Sequence, residues 1–518
     1  MSEKPTTTQK QSNNIELLGL LIAVLIGGFI RLRPVISRNF PLNDGGAFYY
    51  VIQEILAWGY AFPEFSSYNL NTIPFAYPPL AFYASALLSD LFQWPLLDLV
   101  RLLPGTISIL TIPAFFLLCR RVLPNSSQII TATFAFTLLP TSFDWLVVGG
   151  GLTRSFGYLF AILTLHQIYN LYTTRQSKHI VLSSLFASLT ILCHPGTAWF
   201  MGYSGLVIFA FHHKNQSGWL IKSLLVGISS LVLISPWLIT LHNSHGLEVL
   251  GYPFQTQDTS LASILLPFTF LFSNEPLLDI FAIGGLLGVF AALYAKKYFL
   301  PVWLFSVFIF ESRLGPTYSV VPMALLVGVG FDEIVLRSLS RPEQREISKT
   351  KKWLPKILMG YLLLYGLVAA MMAPDYGSIS TNQRGALDWV RTNTHEDSRF
   401  VVITGQPEFG IDYVAEWFPA LAVRHNLTTP QFHEWLPNEE FTQRIHLHKS
   451  LQNCLNHGLP CIQNWVAENN ISFTHIFVAN YPTNSSSPGY IYLTQSLLVS
   501  PEFEQIFTGP GGMVFQKK

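Results

Sequence analysis

Charge is scarce in this chain. Only 12% of its 518 residues are Asp, Glu, Lys or Arg, against roughly 25% in an ordinary soluble protein. Half of the residues are apolar and 14% are aromatic, too many for a polar surface to cover. The composition points to a polytopic α-helical membrane protein. Neither sign of charge dominates: 31 Lys and Arg face 30 Asp and Glu, a net +1, which excludes a nucleic-acid binder driven by basic charge. Disorder over most of the length is excluded as well. Cysteine is scarce too, and four residues are too few for a disulfide scaffold. Cys119 and Cys193 sit inside apolar runs and read as buried packing residues. Cys454 and Cys461 lie in a polar region with six residues between them, and a disulfide there requires an oxidising compartment. No P-loop, G-x-G-x-x-G or G-x-S-x-G pattern occurs, which argues against nucleotide binding and hydrolase chemistry. Internal repeats and low-complexity tracts are absent.

What is present is a succession of apolar runs. The first, over 17–30, is followed by Arg31-Leu32-Arg33-Pro34 and not by a small-residue cleavage site, so it reads as an uncleaved membrane helix. Further runs predict helices near 102–120, 128–147, 155–173, 180–195, 197–212, 219–239, 277–295, 298–311, 316–336 and 356–373. With the first, near 16–31, that makes about 11 crossings. Lys and Arg favour cytoplasmic loops. Placing the basic breaks at 120–121, 175–178, 214–222, 296–297 and 337–356 inside gives 17 Lys and Arg on the cytoplasmic side and 6 outside, up to residue 373. The N-terminus is then cytoplasmic and the C-terminal region extracytoplasmic. The expected organisation is a transmembrane domain over 1–373 and a soluble domain over 374–518. A long first outer loop (31–77) is followed by a helix over 77–94 at the outer interface. In the polar C-terminal region, helices are expected at 382–392, 461–468 and 495–507, and strands at 399–404, 473–479 and 512–516. Alternating helices and strands predict a small α/β fold.

Chemistry-bearing side chains concentrate at the expected outer helix ends. Asp44 precedes Gly45-Gly46 at the start of an apparent helix. There it is either that helix's N-cap or a base at the mouth of a membrane cavity, and spacing alone favours the cap. Arg101, Arg154 and Arg313 each stand where charge is costly unless paired or bound to a ligand. Arg154 follows Gly149-Gly150-Gly151, whose amides could cradle a phosphate; the plainer reading is a tight turn with a snorkelling Arg. Arg313 has Glu311 as a local ion partner. His194 marks a sharp turn before Pro195 and reads as a packing residue or a substrate contact. His242-x-x-His245 has ligand spacing without a third ligand, so no zinc site is expected there, and His446 and His448 stand in the same position. Asp144 and Glu275 are further outer-side carboxylates that suit sugar hydroxyls or a metal.

The order of short motifs resembles the GT-C superfamily of integral-membrane glycosyltransferases, which includes the protein O-mannosyltransferases and the lipid A aminoarabinose transferases. The matching residues are Arg31 to Pro34, Asp44 with Tyr49-Tyr50, Tyr77-Pro78-Pro79-Leu80, Arg101 within Val100-Arg101-Leu102-Leu103-Pro104, and Arg120-Arg121. The match in motif order covers about 17–172 and is architectural beyond that. It implies a hexosyltransferase-type enzyme that moves a sugar, with inversion, from a polyprenyl-phosphate donor to a glycan, lipid or protein acceptor on the outer face. Asp44 would be the catalytic base. Arg101, Arg154 and Arg313 would serve the donor phosphate, and Tyr77, His194 and Glu311 would line the substrate site. Two departures stand out: Asp44 lacks the acidic neighbour of many members, and Tyr77 replaces a Lys of some members. The resemblance fixes no cofactor and leaves a divalent metal open. Membrane lipids are expected partners and nucleic acid is not. The competing reading is a transporter or lipid flippase, which commonly shows paired half-repeats with helices broken near the midplane. No repeat is visible here, and the charges lie at helix ends. A catalytically inactive scaffold is the third reading.

Overall fold

The computed structural model describes residues 7–174, 176–215, 218–255, 264–269, 271–311, 314–336, 349–372, 376–437, 439–480 and 487–518. Nine longer helices come first: α1 (Thr7–Ile36), α2 (Gly46–Ala57), α3 (Leu80–Phe92), α4 (Leu96–Val122), α5 (Ser126–Leu138), α6 (Gly151–Thr173), α7 (Lys178–Ile191), α8 (Pro195–His212) and α9 (Trp219–His245). Helices Ile280–Tyr294, Phe299–Phe310, Gly315–Gly330 and Lys349–Met371 complete the apolar part. Every stretch expected to cross therefore contains a helix. Among the described residues, three helices are long and apolar enough by themselves to span a membrane: the 13–36 portion of α1, α4 and α9.

Local chemistry sets the helix ends. α4 carries Asp98 in its first turn and Arg120-Arg121 in its last, both favourable to the helix dipole. α8 opens with Pro195 at its first position, and His194 accepts the Thr197 N–H on Nδ1 at 3.1 Å. The helix expected over 128–147 stops at Leu138. Leu139 precedes Pro140 and takes an extended conformation, which ends an α-helix. Residues 139–150 instead form a buried series of turns. Helices Ile280–Tyr294 and Gly315–Gly330 pack backbone to backbone, since a Cβ at Gly288 would strike the Leu326 carbonyl. Close approach through small residues is how helices associate where no hydrophobic drive separates them from lipid. Arg31 is fully buried and acts as an interior strut. It donates to Ser108 Oγ (3.1 Å), the Thr137 carbonyl (3.0 Å) and Ser142 Oγ (3.0 Å), tying α1 to α4 and to the end of α5.

The C-terminal region is a mixed five-stranded sheet with helices around it. Its strands, after the short pair β1 (Phe65–Ser66) and β2 (Ile73–Pro74) in the first loop, are β3 (Arg399–Ile403), β4 (His425–Asn426), β5 (His475–Ala479), β6 (Phe503–Gly509) and β7 (Gly512–Lys517). The order is β4-β3-β5-β7-β6, parallel on the first three and antiparallel after that. One expectation fails here: 495–507 is not a single helix. Ser487 and Pro488 start a helix early, at Pro488–Leu498, and Pro501 follows its end. β6 then pairs with β7 in a hairpin. Cys454 and Cys461 are disulfide-bonded, with Cα atoms 5.4 Å apart, while Cys119 and Cys193 are free and buried.

The first loop and the sheet domain share one hydrophobic core. Phe40, Tyr68, Tyr77 and Phe82 pack in the same cluster as Trp417, Phe418 and Trp435. Asn69 and Asn426 exchange two hydrogen bonds across the junction, at 2.9 and 2.7 Å. Asn426 is wholly buried in this contact.

Candidate functional site

Several inter-helix loops converge with the C-terminal domain on one cavity of about 400 Å³. Asp44, Tyr77, Arg154, His194 and Glu311, five of the residues singled out in the sequence, line it. Arg101 does not. It forms an ion pair with Asp98 (2.9 Å) and donates to the Arg38 carbonyl (2.9 Å), so its charge is used on its own helix and the neighbouring loop. Arg313 lies outside the described residues.

Asp44 is not the cap of its own helix. Gly45 occupies that position with φ +118°, and no side chain of the loop caps α2. The Asp44 carboxylate instead accepts the N–H of Gly150 at 2.9 Å, at the N-terminus of α6. The glycine run is explained by this approach and does not form a phosphate cradle. Gly149 N–H donates to the Leu42 carbonyl and Gly151 N–H to that of Val148, so all three amides are committed. A Cβ at Gly149 or Gly150 would strike Asp44.

Arg154 sits in the first turn of α6. Its guanidinium donates to the Trp145 carbonyl (2.7 Å) and lies over the Trp145 ring at 5.9 Å, while its buried Nε has no protein partner. Burial pushes the Asp44 carboxyl above the usual aspartate range, against the opposing pull of Arg154 and of the Gly150 amide. Tyr77 donates to or accepts from Thr153 Oγ1 at 2.9 Å, and burial raises its phenol as well. His194 accepts on Nδ1, so a neutral ring carries its proton on Nε2. Glu311 accepts the Leu314 N–H at 3.0 Å.

The C-terminal domain supplies residues that the sequence reading missed, namely Glu416, Gln431, Glu434 and Trp435. Gln431 Oε1 and Trp435 Nε1 are buried without protein partners. Burial, then the nearby Asp44 charge, push the Glu416 carboxyl up to about 8, although three backbone amides favour its ionised form. The signal was an acidic residue inside an apolar run, Tyr413-Val414-Ala415-Glu416-Trp417-Phe418, where a carboxylate is rare unless partnered.

Other candidates do not line this cavity. Glu275 caps helix Ile280–Tyr294 by accepting from Phe281 and Ala282 (3.0 and 3.1 Å). Asp144 is buried in the field of Arg31 and does not line the cavity. His245 contacts the Glu64 carbonyl at 2.6 Å, and His448 lies 3.5 Å from Asp412 inside the C-terminal domain. Among the described residues, no group of three or more His, Cys, Asp or Glu side chains could hold a metal.

No family model matches the sequence, and no curated protein matches it either. Solved structures do match in fold. The oligosaccharyltransferase AglB from Archaeoglobus fulgidus, in complex with an inhibitory peptide and a dolichol-phosphate, aligns over 90% of this chain and 69% of its own, with TM-score 0.61 and 13% identity. ArnT from Cupriavidus metallidurans, bound to undecaprenyl phosphate, aligns over 96% and 97%, with TM-score 0.57 and 13% identity. The arabinofuranosyltransferase AftD from Mycobacteria aligns over 96% of this chain and 40% of its own, with TM-score 0.60 and 14% identity. The chain shares its fold with these three structures. The alignment with ArnT runs over nearly the full length of both chains, C-terminal domain included.

Proposed function

We propose that the chain is a membrane glycosyltransferase moving a sugar from a polyprenyl-phosphate-linked donor to an acceptor hydroxyl or amine, in a cavity on the extracytoplasmic face. The observation that carries this reading is the placement of Asp44 and Arg154 together at the first turn of α6, in one cavity of about 400 Å³. The lipid phosphates in the AglB and ArnT structures support the donor class. No half-repeat favours the transport reading.

Asp44 takes the proton of the acceptor as the acceptor attacks the anomeric carbon. The bond from that carbon to the phosphate oxygen breaks with its electron pair on the oxygen, and a single displacement inverts the centre. Arg154, whose Nε is unused by the protein, faces the charge developing on the leaving phosphate. Fixed donors of this kind act most strongly where water is excluded. Burial makes Asp44 a stronger base than free aspartate at the pH where it is ionised.

Asp44→Asn tests the assignment. The amide oxygen still accepts the Gly150 N–H, so the fold should persist while proton abstraction fails. Turnover of a labelled lipid-linked sugar by purified protein should fall roughly 10²–10⁴-fold. In the wild type, activity should be lost as pH falls through the raised Asp44 pKa, so the acid limb lies above the ordinary aspartate range. A folded Asp44→Asn protein with wild-type turnover would remove Asp44 from the chemistry.

A further inference from the structure

The backbone on both sides of Asp44 is held by the C-terminal domain. After it, the N–H groups of Gly45 and Ala47 donate to Glu416 Oε1 (3.3 and 3.0 Å), and that of Gly46 donates to Oε2 (3.0 Å). Before it, Asn43 gives its carbonyl to the Trp417 indole N–H (2.9 Å) and its side-chain N–H to the Gly410 carbonyl (2.8 Å). Tyr68, from the same first loop, donates to the Glu416 backbone carbonyl at 2.5 Å. Glu416 is 3% exposed. A buried carboxylate costs several kcal/mol in desolvation unless hydrogen bonds offset it, and here three backbone donors offset part of that cost. An ordinary cap at Asp44 or Gly45 would satisfy the first turn of α2 just as well. A capping residue 370 positions away does something that a local cap cannot: it fixes the loop relative to the C-terminal wall of the cavity. The Asp44 side chain is then aimed from the other side by Gly150.

We propose that Glu416 is a positioning residue for Asp44, a C-terminal-domain carboxylate that clamps the start of α2 and so sets where the base meets the acceptor. This rests on the transferase reading. The test uses the full chain in detergent with Glu416→Gln, which keeps the size and one acceptor oxygen but turns an amide NH₂ toward a backbone donor. Exchange of the amide hydrogens of Gly45, Gly46 and Ala47 should accelerate at least about tenfold, as expected when a protecting hydrogen bond opens locally. The dissociation constant for polyprenyl phosphate should stay as in the wild type, because Arg154 is untouched. The kcat should fall about 10²-fold, the scale of a misplacement near 1 Å. Trp417→Phe removes the indole N–H to Asn43 together with part of a buried ring packed on Phe40 and Tyr49, leaves the Glu416 carboxylate in place, and should shift exchange and kcat the same way by less; it carries the test if Glu416→Gln does not fold. Exchange as slow as in the wild type overturns the proposal, as does fast exchange with unchanged kcat or a loss confined to donor affinity. A wild-type chain that protects these amides yet transfers no sugar sinks the transferase reading and leaves the clamp in place.

Discussion

At the scale of single residues, Gly150 offers a way to move the base without touching it. Its backbone has φ −70° and ψ −5°, a conformation open to any residue, so alanine introduces no backbone strain. A Cβ there would nonetheless collide with the Asp44 carboxylate. Gly150→Ala should therefore keep the thermal midpoint near that of the wild type while displacing the carboxylate, with a loss in turnover of about 10²-fold. Wild-type turnover in a folded Gly150→Ala protein would show that the position of the carboxylate is not critical. Asp44, Tyr77, Arg154, His194 and Glu311 were legible in the sequence because a polar side chain stands out at the end of an apolar run. Glu416 was not, because the amides that explain it belong to residues 45–47. Arg101 lies outside the cavity, and of the two alternatives that its position left open, pairing or a ligand, the structure shows the pairing, with Asp98 one helical turn away.

At the scale of elements, existence was easier to read than extent. A continuous apolar run announces a helix whatever its neighbours do, so each expected stretch contains one. Ends depend on one or two residues, such as Pro140 stopping α5. β6 was hidden for a different reason. Its outward face is polar and its pairing with β7 comes later in the chain, so 503–507 lost to the helical signal just before it. The helix Gly458–Glu468 illustrates a constraint that was legible. Cys461 in that helix is tied to Cys454 at the end of the preceding one, across a junction marked by Gly458 at φ +72°. Closing so short a loop stabilises the fold by only about 2–3 kcal/mol on a chain-entropy scale. The paired thiols should resist alkylation in the native protein until a reductant is added. Cys454→Ser with Cys461→Ser should lower the thermal midpoint of the C-terminal domain without abolishing its sheet. Free thiols in protein folded under oxidising conditions would sink this prediction.

At the scale of the whole molecule, the two ends of the helical bundle differ in kind. One end gathers the loops at 43–48, 145–154 and 194–196, with Glu311 and Leu314, against the C-terminal domain around the acidic cavity. A second cavity, also of about 400 Å³, is lined by 122–124, Phe211, His212 and Lys296 to Leu300. That division follows the alternation inferred from Lys and Arg, since the basic breaks at 120–121, 214–222 and 296–297 fall in or beside the second group. On the proposed function, a lipid-linked sugar presents its phosphate to the first cavity, so the side on which that cavity opens decides which pool of donor is used. With 17 Lys and Arg on one side and 6 on the other, the cavity and the C-terminal domain should face away from the cytoplasm. Protease added to intact cells or spheroplasts should then cleave within 376–518 and spare 337–356. The N-terminal segment should be protected as well, because the number of crossings between it and the C-terminal domain would be odd. Cleavage at 337–356 with the C-terminal domain protected would turn the enzyme around in the membrane. Asp44 and Arg154 would keep their geometry, but the donor and acceptor would have to be cytoplasmic.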